Sequence, residues 1–507
     1  MAQSTALIKL FVCLISLCTF TSIHAQNTEW DKWVSDAMLP TLERHRTFVS
    51  IPNVSPDPEQ LEINMDWIQP YFEALDFKVR RLKTHTTPIF LASRIIDENA
   101  KTLLFYFHLD GQAVNPENWD QEDPFVPVLK AFDESQWKTI DWNRLKENID
   151  PAWRIFGRAA ADDKGPISMM LTALEIMQRQ DLTSQFNIKI LLDPEEESGS
   201  DGFIETIDQY RADYAADYMI IMDGPAHNSN RPTLTFGCRG IARCNITIYG
   251  AKLPQHSGHY GNYAPNPVFR MAHLLSSMKS EKGKVLIDGF YDDIPMTGEI
   301  ENILKAVPDQ EETIKKGLVI AEADEVGAYY QQSLQYPSLN VRHIETSWKG
   351  PGLKTVIPEY VTAHLDVRLV SETDGKEQIK KVREHIADQG FYVIDRSPTD
   401  EERLTYPLIA TFNAPGYVNA FRTEIDSRLG QTISAAVESA FGEAPVRIRT
   451  MGGTVPIIPA VNALEIPAII VPMVNMDNNQ HNPNENIRIG NIETGIKICL
   501  AILNMGE

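Results

Sequence analysis

Three short apolar runs constrain this chain more than any other feature: Leu103–Phe107, Ile188–Leu192, interrupted by Lys189 alone, and Tyr218–Met222. Each has the length of a strand, and stretches with helical periodicity such as Ile167–Gln180 stand between them. A strand that is apolar at every residue has to be covered on both faces, and strands alternating with helices are joined by crossovers. The pattern predicts an α/β fold over residues 26–237, with a mixed, mostly parallel sheet and helices on both faces.

The texture changes at about Cys238. Arg243–Tyr249 and Thr362–Val370 alternate apolar with polar residues, and helical patterns cover Pro267–Met278 and Gly375–Gln389. This reads as an inserted α+β unit over 238–406, built on an antiparallel sheet with one exposed face. From residue 407 the α/β texture returns, with a helix at Gln431–Phe441, an apolar strand at Ala468–Val471 and a last helix at Glu493–Leu503. One α/β domain, in parts 26–237 and 407–507, is therefore expected to be interrupted by a second domain.

Residues 1–25 read differently. One charge, Lys9, precedes an apolar run from Leu10 to Phe20, and Ile23-His24-Ala25 resembles a cleavage site. That arrangement predicts a secretory signal peptide and an exported enzyme, periplasmic or secreted, with no membrane span after cleavage; an uncleaved membrane anchor is the alternative reading. Cys238 and Cys244 fall in what reads as one strand, about 20 Å apart and beyond disulfide reach. Together with Cys499 they are expected to be buried thiols. Lys plus Arg number 47 against 69 Asp plus Glu, a formal net charge of −22. An acidic balance of that size argues against nucleic acid and anionic membrane surfaces as partners.

Part of the acidity has a location. Phe107-His108-Leu109-Asp110, Asp162-Asp163-Lys164-Gly165, Asp193-Pro194-Glu195-Glu196-Glu197-Ser198 and Met222-Asp223-Gly224 each place carboxylates or a histidine at a strand end or in the adjoining loop. In open α/β sheets that rim is where ligands bind. A further histidine, His481, stands in the loop before the last helix. Alone, each is unremarkable chemistry: a capped helix start, a solvated acidic turn, a structural histidine. Together they supply two histidines and at least three carboxylates to one rim, a mixed N/O donor set suited to a hydrolytic metal site. Such loops would repel one another without a cation between them.

These motifs, in this order, resemble the co-catalytic dizinc aminopeptidase-like hydrolases that include carnosinase, cytosolic non-specific dipeptidase, glutamate carboxypeptidase and aminoacylase. The resemblance implies a zinc exopeptidase-like fold with an inserted lid and dimerisation domain. It implies two zinc ions per chain, with manganese or cobalt as substitutes. Asp162 would bridge them, His108 and Asp223 would hold one, and Glu197 and His481 the other. Glu196 would be the general base for a metal-bound water, and Asp110 would orient His108. Gln255-His256-Ser257-Gly258 matches a motif whose histidine stabilises the oxyanion, commonly across a dimer interface, which implies a homodimer. Arg368 and the turn Gly452-Gly453-Thr454 match positions that hold a substrate carboxylate in the dipeptidase branch, Gly453 and Thr454 among them. Asp at 223, Trp119, and Pro124-Phe125 also point to that branch. Two departures stand out: Ala159 where relatives usually carry glycine, and an extended stretch between Pro127 and Trp153.

The expected activity is hydrolysis of the amide bond in dipeptides or short peptides with a free C-terminal carboxylate. An N-acyl amino acid amidohydrolase would use the same site. A metal- or peptide-binding protein without catalysis is a third class, against which the complete ligand set and Glu196 argue.

Overall fold

The computed structural model describes residues 29–348 and 354–506. The segment 1–25, read above as a signal peptide, lies outside the described residues. Two compact units are present. The first comprises residues up to Phe236, Thr423–Ile448 and the chain from Ala460 onward; the second comprises Gly237–Arg422 and Arg449–Pro459.

The first unit is built on an eight-stranded mixed sheet. Its strands run in the order Lys78–Leu82, Ile89–Arg94, Asn187–Asp193, Thr102–His108, Tyr218–Ile221, Ala468–Ile470, Thr233–Thr235 and Val446–Ile448. The four strands from Asn187–Asp193 to Ala468–Ile470 are parallel, and the two outer strands before them are antiparallel additions. Leu103 to Phe107 are all fully buried, which is what an all-apolar central strand requires. The helices Lys164–Arg179 and Ile489–Leu503 pack closely on each other. Gly495 permits that approach, because a Cβ there would stand 2.1 Å from the Met169 sulfur.

The stretch between Pro127 and Trp153 is structured. Val128–Asp133 and Gln136–Thr139 form a hairpin that joins Arg154–Phe156 and Asn486–Arg488 in a four-stranded antiparallel sheet. That sheet brings residues 157–162 and 478–485 side by side, with the Gly157 N–H donating to the Glu485 carbonyl at 3.0 Å.

The second unit holds a five-stranded sheet in the order Ser338–Thr346, Tyr360–Leu369, Gly240–Tyr249, Ile409–Val418 and Tyr392–Ile394. One face is apolar: Cys244, Ile246, Ile248, Ala363, Leu365 and Val367 pack with Met271 and Leu274 of one helix and Val382 and Ile386 of another. The opposite face carries Thr247, hydrogen-bonded to Thr362 at 2.9 Å, and His364, whose Nδ1 lies 2.9 Å from the Asn245 Oδ1. This unit extends beyond the boundary expected at residue 406. The strand Ile409–Val418 pairs with Gly240–Tyr249 and so belongs to the inserted sheet, and residues 449–459 return to it. Pairing partners more than 150 residues apart leave no mark in local texture. Cys238 and Cys244 also differ from expectation. They lie on separate strands, Gly237–Cys238 pairing with Phe421–Arg422, and both are buried free thiols along with Cys499. Among the described residues, no helix is long and apolar enough to cross a membrane.

Candidate metal centre and active site

Parallel strands deliver the site. His108 closes Thr102–His108, in register with Asp193 at the end of the neighbouring strand, and Asp223 follows Tyr218–Ile221 by two residues. A parallel strand that ends at the sheet's carboxyl edge leaves its next residues free to face a ligand. Glu196 begins a single tight turn, Glu196–Ser198, that Gly199 (φ 111°) and Ser200 (φ 59°) complete in left-handed conformations. Asp162 stands two residues before the helix Lys164–Arg179, and Gly165 is required there: a Cβ would meet Ile487 at 2.6 Å and the Ala160 carbonyl at 2.8 Å. Ala159 holds a φ of 60°, a conformation that favours glycine.

The side chains converge. His108, Asp162 and Asp223 offer ligand atoms within 4.8 Å of one another, and so do Asp162, Glu197 and His481. The His108 Nε2 is 2.7 Å from Asp162 Oδ1 and 3.9 Å from Asp223 Oδ1. The His481 Nε2 is 3.1 Å from Asp162 Oδ2 and 3.3 Å from Glu197 Oε2. Asp162 thus presents one oxygen to each group. Asp110 works from behind: the His108 Nδ1 lies 3.1 Å from its carbonyl, and its two carboxylate oxygens accept the Glu196 and Glu197 N–H groups at 3.1 and 3.0 Å. One residue therefore orients the imidazole and the turn that carries both glutamates. Glu196 is in neither group and is 8% exposed.

Burial and mutual repulsion set the electrostatics of this donor set. Burial, and then Asp162, push the Asp223 carboxyl up to about 6. The same two causes push Glu197 up to about 7. Burial drives Glu196 well above the carboxylate range, with Asp223, Glu197 and Asp162 adding to it. Burial would raise Asp162 too, but His108 and His481 hold it low. Carboxylates crowded this closely ionise together only beside a compensating charge. Two N/O triads sharing a carboxylate fit a pair of divalent cations. The consequence is measurable. Carboxyls raised in the folded state stabilise it fully below the unfolded carboxylate range and lose that contribution as pH rises through about 6 and about 7. The metal-free chain should therefore lose thermal stability from roughly pH 5 to pH 8, and the gain in unfolding temperature on adding zinc should widen over the same interval, because binding displaces protons. A gain that is flat with pH would contradict this.

Several contributing residues are not assigned a role by the sequence. The Glu485 carboxylate is fully buried and accepts bonds from Arg158 and from the backbone of residues 159, 161 and 162. Lys164, also buried, donates through Nζ to the Phe48 and Ile51 carbonyls at 2.9 and 2.5 Å, at the end of the helix over 29–49. Gln112 donates to Glu197 Oε2 at 2.8 Å. Glutamate and lysine side chains are mostly exposed in folded proteins, so residue type alone does not predict their burial. Proximity to His481 and Asp162 was the one available hint.

The remaining candidate residues lie in the second unit. The Arg368 Nη1 donates to the Thr454 Oγ1 at 2.7 Å, and that hydroxyl donates to the Arg239 carbonyl at 2.6 Å. The Gly453 carbonyl accepts the Arg239 N–H at 3.2 Å, which holds the turn. His256 precedes the short helix Ser257–Tyr260 and is exposed. Its Nδ1 accepts the Gly258 N–H at 3.0 Å, so the neutral ring carries its proton on Nε2.

Two groups of candidate metal ligands sharing one aspartate, at the carboxyl edge of an α/β sheet and beside a glutamate outside both groups, fit a dinuclear metallohydrolase. The chain belongs to peptidase family M20/M25/M40, whose model matches residues 104–505. It is a metallopeptidase of that family. It is 27% identical over 470 residues to the Cys-Gly metallodipeptidase dug1 of Schizosaccharomyces pombe, covering 89% of this chain and 92% of the relative. It is 26% identical over 426 residues to the human Beta-Ala-His dipeptidase, covering 82% and 76%. Among solved structures it matches an M20 family metallo-carboxypeptidase from Sulfolobus solfataricus, with a TM-score of 0.70, 26% identity and coverage of 91% and 98%. The expectation of export is corrected by these comparisons. The comparisons with the Cys-Gly metallodipeptidases do not support it, and the segment on which it rested, residues 1–25, lies outside the described residues.

Proposed function

We propose that this chain hydrolyses dipeptides and other short peptides with a free C-terminal carboxylate, using two zinc ions held by His108, Asp162 and Asp223 and by Asp162, Glu197 and His481. The observation that carries the reading is the pair of triads sharing Asp162 with Glu196 adjoining. The relatives named as dipeptidases support the substrate class. When bound, such a cation pair supplies Lewis-acid polarisation of the amide carbonyl and acidifies water. Glu196 takes the proton of the attacking water and returns it to the leaving amine. Asp110 keeps the His108 imidazole and the Glu196–Glu197 backbone in place for this. His256, with a proton on Nε2, stabilises the oxyanion. Arg368, aligned by Thr454 beside Gly453, takes the substrate carboxylate by paired hydrogen bonds. The resemblance of the inserted unit further supports a homodimer, which a monomer in sedimentation would overturn.

The test is a substrate panel with wild-type and Arg368→Ala chains. Free dipeptides should be hydrolysed, and their amidated forms, N-acetyl and N-succinyl amino acids should be poor substrates. Arg368→Ala should raise KM for dipeptides by about 10-fold or more, the loss of a charge-assisted contact. Preference for the acylated amino acids would replace this reading with the amidohydrolase one.

A further inference from the structure

We propose that Glu485 is a positioning residue of the metal centre, whose carboxylate sets the backbone of residues 158–162 and through it the aim of Asp162. The proposal rests on the reading of Asp162 as the ligand common to both cations. Glu485 is 0% exposed. Its Oε1 accepts the Ala161 and Asp162 N–H groups, both at 3.0 Å. Its Oε2 accepts the Ala159 N–H at 3.0 Å and the Arg158 guanidinium at 2.7 Å. Four donors fill the acceptor capacity of one carboxylate.

The loop needs such an anchor. Ala159 sits at φ 60°, a conformation that an alanine keeps only where its surroundings over-determine it. Bonds from Glu485 to residues 158, 159 and 161 bracket that position. The Glu485 carbonyl also accepts the Gly157 N–H, so backbone and side chain clamp both ends of the loop. Glu485 belongs to the His481 loop, which is closed by the Asn486 N–H donating to the Asn478 carbonyl at 2.7 Å. One buried carboxylate thereby ties the segment bearing Asp162 to the segment bearing His481, two ligands of the same triad.

A glutamine at 485 has the same size but one acceptor oxygen. Whichever way it turns, its NH2 faces either the Ala161 and Asp162 N–H groups or Ala159 and Arg158. The experiment is calorimetric titration of the metal-free full chain with zinc, with thermal unfolding and kinetics in parallel. Wild type should bind two zinc ions. Glu485→Gln should bind the weaker of the two about 10- to 100-fold less tightly, the usual cost of losing an outer partner of a metal ligand. Its kcat on a dipeptide should fall at limiting zinc and return toward wild type at saturating zinc, with KM unchanged. If Glu485→Gln does not fold, Glu485→Asp, which keeps the charge but withdraws it by one carbon, should show the same weakening by several-fold.

Zinc affinities equal to wild type in the folded variant, even with a lowered unfolding temperature, would overturn the proposal and leave Glu485 a purely structural residue. A wild-type chain that binds fewer than two zinc ions would instead overturn the reading of the site itself.

Discussion

Replacing Glu196 with alanine should lower kcat for dipeptides by about 10²–10⁴ while both metal ions stay bound. The separation follows from geometry. Glu196 is outside both ligand groups, and its backbone is held by its N–H on Asp110 Oδ1 and by its carbonyl, which accepts the Gly199 N–H at 2.9 Å. Removing the side chain leaves His108, Asp162, Glu197, Asp223 and His481 where they are. What disappears is the acceptor for the water's proton and its later donor to the amine. In the metal-free chain burial, with Asp223, Glu197 and Asp162 around it, raises the Glu196 carboxyl. Metal content by elemental analysis, read beside turnover, is the measurement. Unchanged turnover would sink the assignment, and loss of metal would turn Glu196 into a ligand.

Asp162→Ala should give the complementary result: activity falls below detection because both cations are lost. Each triad is reduced to two ligands, since Asp162 supplies one oxygen to each. Loss of the electrostatic stabilisation alone accounts for about 10²–10³ in rate, and the loss of acidified water adds to that. The metal-free variant should also show the Asp223 and Glu197 carboxyls moving down from about 6 and about 7, because Asp162 is the largest charge raising each. Carbon-13 NMR titration of the side chains reads this directly. A variant that still holds two zinc ions would refute the shared-ligand arrangement, whatever its activity. The two substitutions thus separate proton transfer from metal binding on the same protein.

Much of this site was legible before any coordinates. A central parallel strand is buried on both faces, so Leu103–Phe107 and Tyr218–Met222 announce themselves as apolar runs, and the polar residues that follow fall at the sheet's rim. That places His108, Asp110 and Asp223 in one neighbourhood, and the family motifs extend it to Asp162, Glu197 and His481. Helix periodicity likewise located Pro267–Met278 at its observed limits.

Other features were decided only by packing. The end of the inserted unit depends on Ile409–Val418 hydrogen-bonding to Gly240–Tyr249, and a strand's own pattern of burial does not name its neighbour. The burial of Glu485 and Lys164 depends on which backbone groups they meet, more than 320 and 110 residues away. The division of Asp162 between His108 and His481 depends on oxygen-to-nitrogen distances of 2.7 and 3.1 Å. The sequence by itself determined which residues lie at the rim of the sheet, because burial periodicity is a local property of the chain. The tertiary structure decided which of them share a ligand, which anchor the loops and where the second unit ends, because those are distances between segments remote in sequence, and hydrogen bonding and packing between the segments set them.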